Sequence, residues 1–221
     1  MTDAVLGPIL VVLGYLSGSV PYGYVLPKVL KGVDVRTIGS GNIGATNAAR
    51  AGGRAMGVVV FILDVAKAMV PVVVAQRLFT GAPGGDGWIM GTAIAAFAGH
   101  LFPVWLGFKG GKGVATGLGV FTVLAPVPAL TGFAAWIVLY LTVRISSVGS
   151  LAGTLVCSAG LFWQRGPSSP ITWAGVAVAA MIWWRHRENI GRLLRGEEKP
   201  KPRKAKPAAG SGGAEGGPNS G

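Results

Sequence analysis

The chain contains one cysteine, two histidines and eight acidic residues among 221 positions. A lone Cys157 excludes an intrachain disulfide and a cysteine metal cluster; in its apolar run it reads as a small packing residue. Charge is also sparse. Only 13% of residues are charged and 51% are hydrophobic, against about 25% charged in soluble domains. Asp3 is the only charge before Lys28, so the basic region of a cleaved signal peptide is missing and the N-terminus reads as an uncleaved first span. What the chain has instead is long apolar runs, and its mean hydropathy is +0.54. This is the composition of an integral membrane protein. The net charge of +12 sits between those runs and near the C-terminus, a pattern of topology and anionic lipid rather than of nucleic acid.

A bilayer core takes about 20 apolar residues per helix. The runs predict spans at 4–26, 55–78, 88–106, 114–127, 128–143, 147–163 and 171–184. The stretch 114–143 is interrupted only by Pro126-Val127-Pro128. Proline breaks helices, so it reads as two short helices in a hairpin, the alternative being one kinked helix and six spans. Charge decides between them. Seven spans place Lys28, Lys31, Arg36, Arg50, Arg54, Lys109, Lys112, Arg144 and the nine cations of 185–206 on one side. Arg77 and Arg165 remain on the other, with Lys67 inside a span. The positive-inside rule then predicts an all-α bundle of about seven transmembrane helices, N-terminus out and C-terminus in. Trp88, Trp105, Trp163, Trp183 and Trp184 fall near span ends, as interfacial tryptophans do. Residues 1–198 read as one membrane-embedded domain. Residues 199–221 read as a disordered basic tail rich in proline and glycine.

Three polar segments lie on the predicted inner side. The most distinctive is 107–116, which sets Lys109 and Lys112 among Gly107, Gly110, Gly111 and Gly113 directly before a new apolar helix. Glycine amides, lysines and a helix N-terminus together suit a phosphate; an ordinary basic membrane loop has the same composition. It is not a Walker A loop, whose spacing it lacks. His100, just before it, reads either as a base or hydrogen-bond donor or as a structural histidine. The segment 34–50 holds Gly39-Ser40-Gly41-Asn42-Ile43-Gly44, then Thr46, Asn47 and Arg50. Its match to the dinucleotide fingerprint fails on context, because no strand precedes it. The amides, neutral donors and a guanidinium still suit an anion, while turn formation and helix capping are the plainer reading of its Ser, Thr and Asn. The segment 185–198 places His186, Asn189 and Leu193 on one helical face, with Arg185 and Arg192 nearby; a basic helix anchored to lipid is the alternative. Asp64 and Lys67, three residues apart in the second span, read as a structural pair facing the bundle, with an ion or proton path as the alternative.

Three blocks stand out: DVRTIGSGNIGATNAAR at 34–50, GHLFPVWLGFKGGKGVAT at 99–116 and RHRENIGRLLRGEE at 185–198. With LDVAKA at 63–68, where Ala68 stands in place of an expected glycine, and RISSVGS at 144–150, they closely resemble the bacterial membrane acyl-phosphate:glycerol-3-phosphate acyltransferases, the PlsY family. The resemblance runs over about residues 4–198. It implies transfer of an acyl group from acyl phosphate to the 1-hydroxyl of sn-glycerol 3-phosphate. The products would be 1-acylglycerol 3-phosphate and inorganic phosphate, in phospholipid synthesis. It further implies a bacterial inner membrane location with the active loops cytoplasmic.

With the chemistry above, the resemblance makes Ser40, Arg50, Lys112, His186 and Asn189 the catalytic candidates. Gly39, Gly41, Asn42, Gly44, Thr46, Asn47, His100, Lys109, Gly110, Gly111, Gly113 and Glu197 are the substrate-binding ones. The first block is assigned one phosphate and the glycine–lysine loop the other. His186, Asn189 and Glu197 orient the glycerol or brace the loops. The base is left open between a histidine and a phosphate oxygen of the substrate. No metal or cofactor is expected. The expected partners are acyl phosphate, glycerol 3-phosphate, membrane lipid and a soluble enzyme that makes acyl phosphate, with no nucleic acid. A membrane transporter of a phosphorylated solute is the alternative function.

Overall fold

The computed structural model describes residues 3–200, and the expected tail lies outside them from residue 201 onward. The described residues form nine α-helices: α1 (Asp3–Ser19), α2 (Tyr22–Lys31), α3 (Ala45–Phe79), α4 (Gly85–Leu101), α5 (Val114–Leu124), α6 (Pro126–Thr142), α7 (Ser146–Arg165), α8 (Pro170–Arg185) and α9 (Arg187–Leu194), with single 3-10 turns at Val35–Thr37 and Val104–Leu106. There is no strand among the described residues. Helices α3 and α7, and α4 extended through Leu106, are each long and apolar enough to cross a bilayer. So is α1 taken with α2, although the pair bends by 41°.

The bend corrects the first expected span. Pro21 supplies no amide hydrogen and disfavours helical backbone at Val20, so the run expected at 4–26 divides there and continues to Lys31. The break is stapled by the buried pair in α3. The ammonium of Lys67 lies 2.8 Å from Asp64 and donates to the Val20 carbonyl at 2.7 Å. Ser17 Oγ donates back to the Lys67 carbonyl at 2.7 Å.

Helix α3 starts ten residues before the expected span, so the last six residues of the segment 34–50 are helical rather than loop. Its 35 residues would reach about 52 Å if straight, far beyond a bilayer core of about 30 Å. Gly52 and Gly53 break it, and Gly53 takes φ +82, a conformation that side chains avoid. The short polar part, with Thr46, Asn47 and Arg50, thereby leaves the line of the apolar part.

The double-proline stretch does form a hairpin. The two helices divide at Ala125, slightly before the expected 127/128 boundary, because Pro126 begins α6 at its first turn, where no amide hydrogen is needed. Arg165, at the far end of α7, donates to the Leu124 carbonyl at 3.1 Å and closes that end. Packing relies on small residues. A Cβ at Gly14 would lie 3.0 Å from Thr92 of α4, and one at Gly132 of α6 would lie 2.6 Å from the Gly153 carbonyl of α7. Backbones that close are the usual means of packing helices in lipid. The core joins Phe79, Phe97, Leu101, Phe121, Leu161 and Ile182, whereas Val12, Ile62, Leu141 and Trp163 are exposed, as lipid-facing side chains are.

Candidate active site

A cavity of about 1030 Å³ opens where the polar segments meet. Direct contacts bring together segments far apart in sequence. Thr46 Oγ lies 3.3 Å from Ser146 Oγ, Ser147 Oγ donates to Glu198 at 3.1 Å, and Lys112 Nζ donates to Asn189 Oδ1. The three blocks and the 144–150 segment therefore share one end of the bundle.

The loop before α3 is built around Asn47, which is 1% exposed. Its amide nitrogen donates to the carbonyls of Val35 at 2.7 Å and Ile38 at 3.1 Å. Its oxygen accepts from the Ser40 amide at 3.4 Å and from Arg50 at 3.2 Å. Gly39 has φ +54, and a Cβ there would lie 2.9 Å from the Arg50 guanidinium. The position thus requires glycine on two counts. Gly39, Ser40, Asn42, Gly44, Thr46, Asn47 and Arg50 all line the cavity, and Gly41 does not. Asn47 is a brace that aims Ser40 and Arg50.

The glycine–lysine loop divides. Lys112 and Gly113 line the cavity, but Lys109 is exposed outside it. The Gly110 and Gly111 amides, expected to face an anion, donate instead to the carbonyls of Leu101 at 3.1 Å and His100 at 3.0 Å. Their own carbonyls accept from Arg185. A glycine run leaves amides free only where no carbonyl is within reach, and here the end of α4 folds back against them. His100 is buried beneath this loop and lines the cavity, with Nδ1 3.8 Å from Asp64.

The third block supplies a relay. Lys112 is held by Asn189, whose amide nitrogen donates to Glu198 Oε1 at 2.5 Å. Glu198 also accepts from Ser147 and, at 2.5 Å, from Arg192. Glu197, the glutamate singled out from the sequence, reaches the cavity rim but pairs with exposed Arg195 at 2.9 Å. The bracing carboxylate is its neighbour. Ser147, Arg192, Arg54 and Arg144 also line the cavity and were not among the chosen site residues. Arg144 is held at φ +65, a strained conformation of the kind found at functional sites.

Burial, with the nearby Arg192 and Arg185 charges and partly offset by Glu198, pulls Lys112 down to about 8. Burial also takes His186 down to about 4, helped by the Lys112 charge. Its Nδ1 lies 2.8 Å from the Ile182 carbonyl, so the neutral ring donates there and leaves Nε2 as the lone-pair nitrogen. At Glu198 burial acts upward, but the hydrogen bonds from Arg192, Asn189 and Ser147 outweigh it and hold the carboxyl below its usual value.

The three carboxylates lining the cavity each already have a cation: Asp64 has Lys67, Glu197 has Arg195 and Glu198 has Arg192. Among the described residues none lies within ion-pair distance of Arg50, Arg54, Lys112, Arg144 or Lys199, which also line the cavity. Below these cations the lining is mainly apolar, through Phe61, Leu118, Phe121, Phe133, Trp136 and Val178, with Thr154 and Ser158 of α7 among them. Phe133, Trp136 and Tyr140 form a stacked ladder along α6, with Phe61 of α3 stacked on its lower end at 5.6 Å.

Such a fold and site define a helical membrane protein with a cavity that is cationic at its mouth and apolar in its depth. Residues 8–196 match the glycerol-3-phosphate acyltransferase family, and the chain belongs to it. The glycerol-3-phosphate acyltransferase of Anaeromyxobacter sp. (strain K) is 62% identical over 199 residues, covering 90% of this chain and 99% of that one. The crystal structure of PlsY, an integral membrane glycerol 3-phosphate acyltransferase, in its glycerol 3-phosphate form superposes with a TM-score of 0.82 at 41% identity. It covers 89% of this chain and 96% of its own. The lysophosphatidic acid form of the same protein gives 0.79 at 41% identity, covering 88% and 94%.

Proposed function

We infer that this membrane glycerol-3-phosphate acyltransferase takes its acyl group from an acyl phosphate. The observation that carries the reading is the set of five cations, Arg50, Arg54, Lys112, Arg144 and Lys199, that line an otherwise largely apolar cavity and have no carboxylate partner among the described residues. Two phosphates match that charge, and one acyl chain matches the depth. The 1-hydroxyl oxygen of glycerol 3-phosphate attacks the acyl carbonyl carbon and forms the ester. The carbonyl-to-phosphate oxygen bond breaks, and inorganic phosphate leaves with 1-acylglycerol 3-phosphate as the other product. Lys112, with Ser40 and Arg50, holds the phosphates and stabilises the charge that develops on the leaving group. His186 and Asn189 orient the glycerol and keep Lys112 in place.

The hydroxyl proton goes to a phosphate oxygen. The second ionisation of a phosphate monoester lies near 6, whereas His186 titrates at about 4. His186 is therefore a weak base at neutral pH, which leaves a phosphate oxygen to take the proton.

The same reading gives seven spans in a bacterial inner membrane, with the cavity mouth cytoplasmic, where a soluble enzyme can deliver the acyl phosphate. A transporter needs a path through the bundle. Here the lining ends at Phe121, Ala129, Ser158 and Gly175, with Leu124 and Leu161 buried in the core just beyond. Purified protein should release inorganic phosphate from palmitoyl phosphate only when glycerol 3-phosphate is also present. Release with palmitoyl-CoA as donor in place of the acyl phosphate, measured as free thiol, would contradict the donor assignment.

A further inference from the structure

The arginines and lysines of the lining gather at the mouth of the cavity. Below them a groove descends, lined by α5, α6, α7 and α8 with Phe61 of α3, and the phosphate chemistry does not account for where it stops. On α6 the lining runs from Tyr140 to Ala129, and on α7 from Ser146 to Ser158. At 1.5 Å per residue each wall is about 17 Å deep, close to the half-thickness of a bilayer core of about 30 Å.

We propose that Leu161 sets the longest acyl chain the enzyme accepts; this rests on the acyl-transfer reading above. Leu161 lies three residues beyond Ser158 on α7, on the same face and about 4.5 Å deeper. It is 0% exposed, and its side chain crosses to α8, where a Cβ at Gly175 would run into it. Gly175 is also the last α8 residue to line the groove. The Phe121 ring approaches the same point, 3.5 Å from that Cβ position. The backbone beneath is tied down, because Thr172 Oγ donates to the Gly166 carbonyl at 2.8 Å and faces the Leu161 carbonyl at 3.4 Å. The walls just above are small, with Ala129 and Ser158. A chain fits there until its end meets Leu161, and a further methylene must displace a packed core residue.

The test measures kcat/KM for a series of acyl phosphates of increasing chain length, with wild type, Leu161→Ala and Ser158→Leu. In wild type the value drops sharply past a limiting length. Leu161→Ala raises that limit and Ser158→Leu lowers it, each changing the ratio of long to short donors by about tenfold or more. The KM for glycerol 3-phosphate stays within twofold. An unchanged limit in both variants overturns the proposal, and if Leu161→Ala does not fold, an unchanged limit in Ser158→Leu overturns it alone. Wild-type protein inert with every acyl phosphate overturns the donor reading and this proposal together; wild-type activity with immobile limits overturns this proposal only.

Discussion

Replacing Glu198 by alanine removes one carboxylate from three donors, Ser147, Asn189 and Arg192. The Glu198 side chain is 15% exposed and that of Arg192 is 34% exposed, so water recovers part of what is lost. A hydrogen bond to a charged group contributes about 1.5–3 kcal/mol when sheltered, and exposure discounts the Arg192 pair. A net loss of about 2–3 kcal/mol is reasonable for the cluster. Asn189 is then free to turn away, and Lys112 loses its fixed position. If that loss falls wholly on transition-state positioning, kcat/KM drops roughly 30- to 150-fold. The assay is phosphate release at saturating acyl phosphate across a range of glycerol 3-phosphate. Glu197→Ala is the matched control. Its exposed pair with Arg195 contributes about 0–1 kcal/mol, so the change should stay under about fivefold. Equal losses in the two variants, or a larger one in Glu197→Ala, would refute the relay from Glu198 to Lys112.

Lys112 is charged below its pKa of about 8 and neutral above it, so kcat/KM should fall as pH rises through 8, and Lys112→Arg should flatten that limb even where it lowers the plateau. A profile in which wild type and Lys112→Arg fall together would assign the limb elsewhere. Asp64→Leu strands the Lys67 ammonium in the bundle and should cost about 3–5 kcal/mol, seen as a lower thermal midpoint in detergent. Replacing both residues by leucine should recover much of that loss, and no recovery would mean that the staple to Val20 dominates. His186→Ala should retain turnover within about a hundredfold of wild type, since a protein base contributes about 10²–10⁴ and none is assigned here. Loss of essentially all activity in folded protein would make the imidazole the base.

Much of the fold is legible in the apolar runs. The expected spans 55–78 and 88–106 fall within α3 and within α4 with its following turn, because nothing but hydrophobicity and length is needed to place them. The breaks are legible only in kind. Pro126 and Pro128 predict a hairpin, but which residue begins the second helix depends on proline settling into the first turn. At the site, the three blocks announce a polar cluster, yet not the direction of its hydrogen bonds. Nothing local shows that the Gly110 and Gly111 amides are taken by the end of α4, or that Thr46 meets Ser146. Glu198 illustrates the limit most clearly. Helical spacing carried on from Asn189 and Leu193 brings residue 197 to the same face. The helix ends at Leu194, however, and Gly196 turns at φ +68. Both glutamate amides then fold back to the Arg192 carbonyl, which presents Glu198 to the cluster in place of Glu197.

The central claim is that a cationic mouth and an apolar groove in one cavity join two phosphorylated substrates without further help. It is tested most directly by mixing purified protein with palmitoyl phosphate and glycerol 3-phosphate in excess chelator, and measuring both products. The account predicts one inorganic phosphate for each 1-acylglycerol 3-phosphate formed. It also predicts that neither appears when glycerol 3-phosphate is omitted. Phosphate release that does not depend on glycerol 3-phosphate, or activity abolished by the chelator, would contradict it.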